Sequence, residues 1–320
     1  GTLTGANGAI GQLRGAVQFG AQGVTLTDPA LAEAVGTDVT GRADINYLTD
    51  QPFRISALAL EGADYNLQGD LEFSGLGAGL QTTLDAVLNA TDLSRFSALA
   101  GRELDGATSL TLKGSVTPLS GEFDLQAQGT AEGIKTGIAQ ADALLEGRTD
   151  VQMNAIRNVN GTFLRGLELS NAALLMTGEA QLATASSRVD ADIVLRDIAV
   201  VLPQYEGRVE LTGSAIGDTE GWRVNVDADG PYGASVKLDG LATGPDAELA
   251  FTAAVPQVQD FAPEVTGPLN AAGTLRQTPQ GWMLQTDANG PYDATARING
   301  LITPAVDINF DVSVPQVSRV

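Results

Sequence analysis

Asn225-x-Asp227-x-Asp229-Gly230 has the oxygen-donor spacing that opens a calcium-binding loop, and Gln285-x-Asp287-x-Asn289-Gly290 returns sixty residues later. Such a loop closes on a bidentate Glu at its twelfth position, but those positions hold Val236 and Ala296. Asp-Gly and Asn-Gly are also hairpin pairs, because Gly accepts a positive φ, and both segments read as hairpin turns. Gly75-Leu76-Gly77-Ala78-Gly79 has the glycine density of a phosphate loop without the Gly-Lys-Ser/Thr that completes one, so it reads as a connection. Asn89-Ala90-Thr91 and Asn160-Gly161-Thr162 match the N-glycosylation sequon, and Asn160-Gly161 also suits a hairpin. The chain has no His and no Cys. A Ser/His/Asp triad is thereby excluded within it, as are thiol chemistry and a disulfide framework. The many Asp residues fall mostly on alternating, water-facing positions, whereas acid–base catalysis needs shielded carboxylates with separated pKa values. The expectation is a non-enzyme with no cofactor and no metal.

The elements that carry these residues repeat. Trp222 is answered by Trp282, Gly230-Pro231-Tyr232 by Gly290-Pro291-Tyr292, and Gly240-Leu241 by Gly300-Leu301. Pro203, Gly207 and Gly213 are answered by Pro263, Gly267 and Gly273, and Val255-Pro256-Gln257-Val258 returns at Val314-Pro315-Gln316-Val317. A period this long describes stacked supersecondary units, whose function is spread along a surface. Within the units the apolar residues alternate, as in Phe53-Arg54-Ile55-Ser56-Ala57, Phe123-Asp124-Leu125-Gln126-Ala127 and Ile308-Asn309-Phe310-Asp311-Val312. Period two gives each strand one apolar and one solvated face. Short helices interrupt the strands. Asp28 to Gly36 and Asp92 to Gly101 each begin with a capping Asp and end with a Gly, and weaker versions lie at Ile138–Gly147, Asp197–Gly207 and Asp260–Gly267. The recurring Trp222 and Trp282 read as packing anchors where repeats join.

Of the 320 residues, 43% are hydrophobic but only 5% aromatic, with 38 Gly and 13 Pro, which suits many short strands in thin layers. Eighteen Lys+Arg stand against 39 Asp+Glu, for a net charge of −21. That balance and the lack of a Lys/Arg cluster disfavour nucleic acid as a partner. No apolar run is long enough to span a bilayer as a helix. The chain reads as an internal piece of a longer protein, one elongated array in five approximate modules (1–91, 92–137, 138–196, 197–259 and 260–320). Roughly 20 strands at about 4.8 Å each predict an axis near 100 Å.

Several segments resemble the TamB family, the long subunit of the bacterial translocation and assembly module, within the AsmA-like bridge-like lipid-transfer proteins. They are Asp92–Gly101 continuing into Ser109-Leu-Thr-Leu-Lys-Gly-Ser-Val116, Gly137–Gly147, Leu26–Gly41 and the paired Gly-Pro-Tyr modules. The likeness runs over essentially the whole chain, as a texture of repeats without a catalytic signature. It implies an all-β fold with short helices between modules, an elongated sheet curled into a U-shaped trough, or β-taco, that is apolar inside. It further implies a periplasmic protein anchored in the inner membrane by a segment not present here. Family members pair with an outer-membrane barrel subunit, TamA, and are implicated in phospholipid movement between membranes and in outer-membrane protein assembly.

Read together, residues and resemblance lead to a groove for phospholipid acyl chains. The alternating apolar candidates for its lining are Leu110, Leu112, Phe123, Leu125, Val209, Leu211, Val224, Val226, Val236, Leu238, Leu249, Phe251, Ile308, Phe310 and Val312. The alternatives are a scaffold that pairs its open edge with nascent outer-membrane strands, or a secreted structural β-repeat whose interior is filled by its own side chains.

Overall fold

The computed structural model describes residues 1–6, 9–25, 27, 29–75, 80–100, 103–183 and 186–315. The glycine run at 76–79, the Asp28 and Gly101 ends of the first two expected helices, and the Gln316-Val317 half of the repeated quartet lie outside them. The chain divides into two compact units, Gly1–Leu175 and Met176–Val320.

The first unit is an open antiparallel meander of β1 (Thr2–Ala6), β2 (Ala9–Ala21), β3 (Val39–Leu48), β4 (Phe53–Glu61), β5 (Tyr65–Ser74), β6 (Gln81–Ala90), β7 (Asp105–Thr117), β8 (Glu122–Lys135), β9 (Arg148–Asn158) and β10 (Gly161–Ser170). Each strand pairs with its neighbour in sequence. β11 (Leu174–Leu182) runs across the division. The second unit repeats the arrangement with β12 (Ser187–Leu195), β13 (Val209–Gly217), β14 (Trp222–Asp229), β15 (Ser235–Leu241), β16 (Glu248–Val255), β17 (Leu269–Thr278), β18 (Gly281–Asn289), β19 (Thr295–Leu301) and β20 (Asp307–Ser313).

Among the described residues the helical segments are short and sit only where an even-numbered strand hands over to the next odd one. They are α1 (Pro29–Val35), a 3₁₀ turn Ser94–Phe96 running into α2 (Ser97–Ala100), α3 (Ala139–Leu144), and 3₁₀ turns at Ile198–Val200, Pro231–Gly233, Val258–Asp260 and Pro291–Asp293. In a meander all such crossings fall on one edge, so within each unit helices line one rim and tight turns the other. Asp197 caps its turn as the sequence predicts, accepting from the Ala199 amide at 3.0 Å, whereas Asp92 lies one residue before the cap position, Leu93, and accepts from the Ser94 amide at 2.8 Å. The segment expected to open at Asp260 instead closes there.

α1 is tied down from a distance. Arg95 donates to the Glu33 and Ala34 carbonyls at 3.3 and 3.4 Å, satisfying the C-terminal end of α1. It also pairs with Asp64 and lies over the Tyr65 ring at 5.6 Å, while the Tyr65 hydroxyl donates to the Val35 carbonyl at 3.1 Å.

The sixty-residue repeat is structural as well as textual. The Trp222 amide donates to Thr243 Oγ1 and the Trp282 amide to Thr303 Oγ1, at 2.9 and 3.2 Å. Ile198 donates to the Gly207 carbonyl at 2.8 Å and Val258 to that of Gly267 at 2.9 Å.

Two turn expectations need correction. Hairpins form after Asp229 and Asn289, but Gly230 and Gly290 are extended, with φ of −115° and −122°. The left-handed positions are Tyr232 and Gly233 in one copy and Tyr292 and Asp293 in the other. The proline at the second turn position pushes the residue before it to extended backbone and moves the reversal downstream. At β9–β10 the turn residues are Val159 and Asn160, and Gly161 already pairs with Asn158 in the ladder.

Candidate functional site

Antiparallel partners point to the same side of a sheet, so the registers state which residues share a face. In the first unit Leu110 faces Gly129, Leu112 faces Ala127, Gly114 faces Leu125 and Val116 faces Phe123. Leu110, Leu112, Phe123 and Leu125 therefore lie together. In the second unit Val209 and Leu211 of β13 share a face with Val224 and Val226 of β14, Val236 and Leu238 of β15, Leu249 and Phe251 of β16, and Ile308, Phe310 and Val312 of β20. All fifteen predicted residues fall on the apolar face of their own unit.

The face extends well beyond those fifteen. One transverse row of the first unit reads Ile45–Ile55–Leu71–Leu84–Gly114–Leu125–Ala155–Leu164. A row of the second reads Ala191–Gly213–Val226–Leu238–Phe251–Gly273–Thr286–Ile298–Phe310. The Phe53–Ala57 alternation covers the member in β4, and Val151-x-Met153-x-Ala155, not singled out in the sequence, is the signal that could have found the one in β9. What alternation cannot show is the bulge in β4, where Ser56 and Ala57 together oppose Asp70, Ala57 adopts φ 50°, and its amide donates to Asp70 Oδ1 at 3.0 Å. The extra residue shifts the phase, so Leu58 and Leu60 join Ile55 on the same side.

The opposite face is ionic and wet. Lys113 pairs with Asp85 at 3.0 Å, Lys237 with Asp227 at 2.7 Å and Arg297 with Asp287 at 3.0 Å, each across neighbouring strands. The middle Asp of each calcium-like spacing, Asp227 and Asp287, thus serves as a cross-strand ion-pair partner. Exposed pairs of this kind contribute little to stability. Their main effect is to keep this face in water.

The apolar face is not packed away like the middle of a sandwich. Among the described residues eleven hydrophobic side chains are buried, and seven of them are Ala. The larger face residues are mostly half-buried, and Val236, Val312 and Phe310 are 46, 55 and 75% exposed. The accessible surface is 19312 Å² for 32.9 kDa, whereas two separate globular domains sharing that mass would expose roughly 15,000 Å². Apolar area of this extent needs a cover or a ligand. Trp222 and Trp282 stand at the tight-turn rim of this face, opposite Gly217 and Gln277. No helix among the described residues is long and apolar enough to cross a membrane.

No family model, no curated protein and no solved structure matches this chain.

Proposed function

We propose that this chain is a segment of a non-enzymatic lipid conduit of the TamB type, its sheet curled into an elongated trough that carries phospholipid acyl chains between the inner and outer membranes. In this reading it works in the periplasm, is held to the inner membrane by a segment outside this sequence, and acts with an outer-membrane barrel subunit, TamA. The observation that supports it is the apolar face, which runs over consecutive strands of each unit, is lined by small aliphatic side chains, and stays accessible. A buried methylene gains about 0.8 kcal/mol, so a chain of about 14 carbons buried over half its length gains about 5 kcal/mol without any polar contact. Such binding is loose and repeated along the face, as movement along a conduit requires.

The test is mass spectrometry of organic extracts from the purified protein, beside Leu125→Asp and Val226→Asp variants shown to be folded by circular dichroism. Phospholipid is expected in the parent and depleted in both variants. Absence of lipid from the parent, or equal lipid in all three, overturns the reading, and crosslinks from strand edges to barrel strands would then favour the scaffold.

A further inference from the structure

Among the described strands with a known register, one charged residue falls on the apolar face of its unit. Across β1–β10 and β12–β20 every Asp, Glu, Lys and Arg of the strands is placed by the registers on the ionic face, except Arg157. Arg157 faces Phe123 on one side and Thr162 on the other, two residues along β9 from Ala155. It is exposed, and among the described residues it forms no ion pair. Arg14, Arg42, Arg165 and Arg223 also form no ion pair, but the registers place all four on the ionic face, in water. An unpaired cation on an otherwise uncharged apolar surface sacrifices hydrophobic area unless it meets an anion.

Its position adds to the argument. Arg157 stands at the tight-turn rim, next to the β9–β10 turn. That turn carries Val159, 90% exposed, and the β7–β8 turn of the same rim carries Leu119, 79% exposed. The next row of the face after Arg157 is apolar, with Leu125, Ala155 and Leu164 side by side. A cation with a hydroxyl beside it at the rim, apolar side chains at the flanking tips and an aliphatic floor below match an amphiphile with an anionic head and a hydrocarbon tail. A guanidinium offers paired donors that suit phosphate oxygens.

Resting on the lipid-conduit reading, we infer that Arg157 is the headgroup-recognition residue of this face. It takes the phosphate of a phosphodiester headgroup, with the Thr162 hydroxyl as a second donor, while the acyl chain lies over Leu125, Ala155 and Leu164. The face would then select phospholipid over uncharged lipid at this one place and be indifferent to headgroups elsewhere.

The experiment compares two probes that share one acyl chain, 1-myristoyl-lysophosphatidylglycerol and 1-monomyristoylglycerol. Each is titrated below its micelle concentration against the whole chain and against Arg157→Gln and Arg157→Lys, with inorganic phosphate as a third competitor. The parent is expected to favour the phosphate-bearing probe by about tenfold, the size of one charge-assisted hydrogen bond in partly solvated surroundings. Arg157→Gln is expected to reduce that ratio to about one with the monoglyceride affinity unchanged, and Arg157→Lys to keep part of it. A ratio equal in the parent and Arg157→Gln overturns the inference and leaves the conduit standing. Failure of the parent to bind either probe removes the conduit itself. Displacement of the lysolipid from the rim by millimolar inorganic phosphate alone overturns the lipid assignment in favour of a free-anion site.

Discussion

Gly240 faces Leu249 directly across the β15–β16 ladder, with φ of 141°, and a Cβ placed on it would stand 2.2 Å from the Glu248 carbonyl oxygen. Sixty residues on, Gly300 faces Ile308 with φ of 150° and its Cβ would stand 2.1 Å from the Asp307 carbonyl oxygen. The repeated glycine thus marks a place where two strands approach too closely for any side chain. Gly240→Ala and Gly300→Ala are expected to cost about 1–3 kcal/mol each from backbone strain, before the added clash. Gly213→Ala, where the nearest atom is Val226 Cγ2 at 3.6 Å, is expected to be near neutral. Urea denaturation of the three variants checks this, and equal effects at Gly213 and Gly240 would contradict it.

Neighbouring residues on opposite faces offer a register-specific test of lipid contact. A photo-crosslinking amino acid at Leu112 or Leu238 sits on the apolar face, and one at Thr111 or Asp239 sits on the ionic face. Lipid adducts are expected from the first pair only. Adducts of similar yield from both pairs would mean that lipid coats the protein without using the groove.

Arg95 has a side chain only 14% exposed and joins α1, Asp64 and Tyr65, with its Nε buried and unpartnered. Arg95→Ala leaves the α1 carbonyls without donors and Asp64 without its cation. The expected loss is about 2 kcal/mol, below the about 3–5 kcal/mol of a fully buried pair because Asp64 is partly exposed. Arg95→Lys is expected to recover little, since one ammonium cannot reach both the Asp64 carboxylate and the end of α1. Amide hydrogen exchange in residues 29–36 should rise in step with the loss, and unchanged protection there would refute the role.

Asp197 accepts from the Ala199 and Gly207 amides at 3.0 Å each, and these bonds hold its carboxyl below the ordinary 3.8. Asp142 accepts from the Thr136 amide at 2.6 Å and hydroxyl at 2.9 Å, and the amide is the larger cause of a shift in the same direction. A carboxyl with a folded pKa below its unfolded value stabilises fully above the unfolded value and loses that contribution as pH falls through the folded one. The thermal midpoint of the parent should therefore exceed that of an Asp142→Asn/Asp197→Asn variant at pH 6. The gap should close as the pH drops below about 4. A gap independent of pH would mean that the carboxylate charge is not what holds these turns.

The residues alone determined a good deal. Period-two alternation of Val, Leu, Ile and Phe with Asp, Lys, Thr and Gln is a local property, and it dictates strands with one apolar side whatever their partners. The missing His and Cys restrict the chemistry by composition, and the sixty-residue echo announces equivalent units. Whether fifteen apolar residues make one surface is a question of register. A one-residue slip sends every side chain of a strand to the other face, and the register is decided by loop lengths and by the Ser56–Ala57 bulge acting on neighbouring strands. The same holds for Arg157, which reads in the sequence as one more charge in an alternating strand and stands apart only when the registers of its neighbouring strands are known. The shift of the hairpin reversal from Gly230 to Tyr232 is by contrast local, since the Pro231 ring excludes the turn that Asp-Gly favours by itself, and the sequence already carried it.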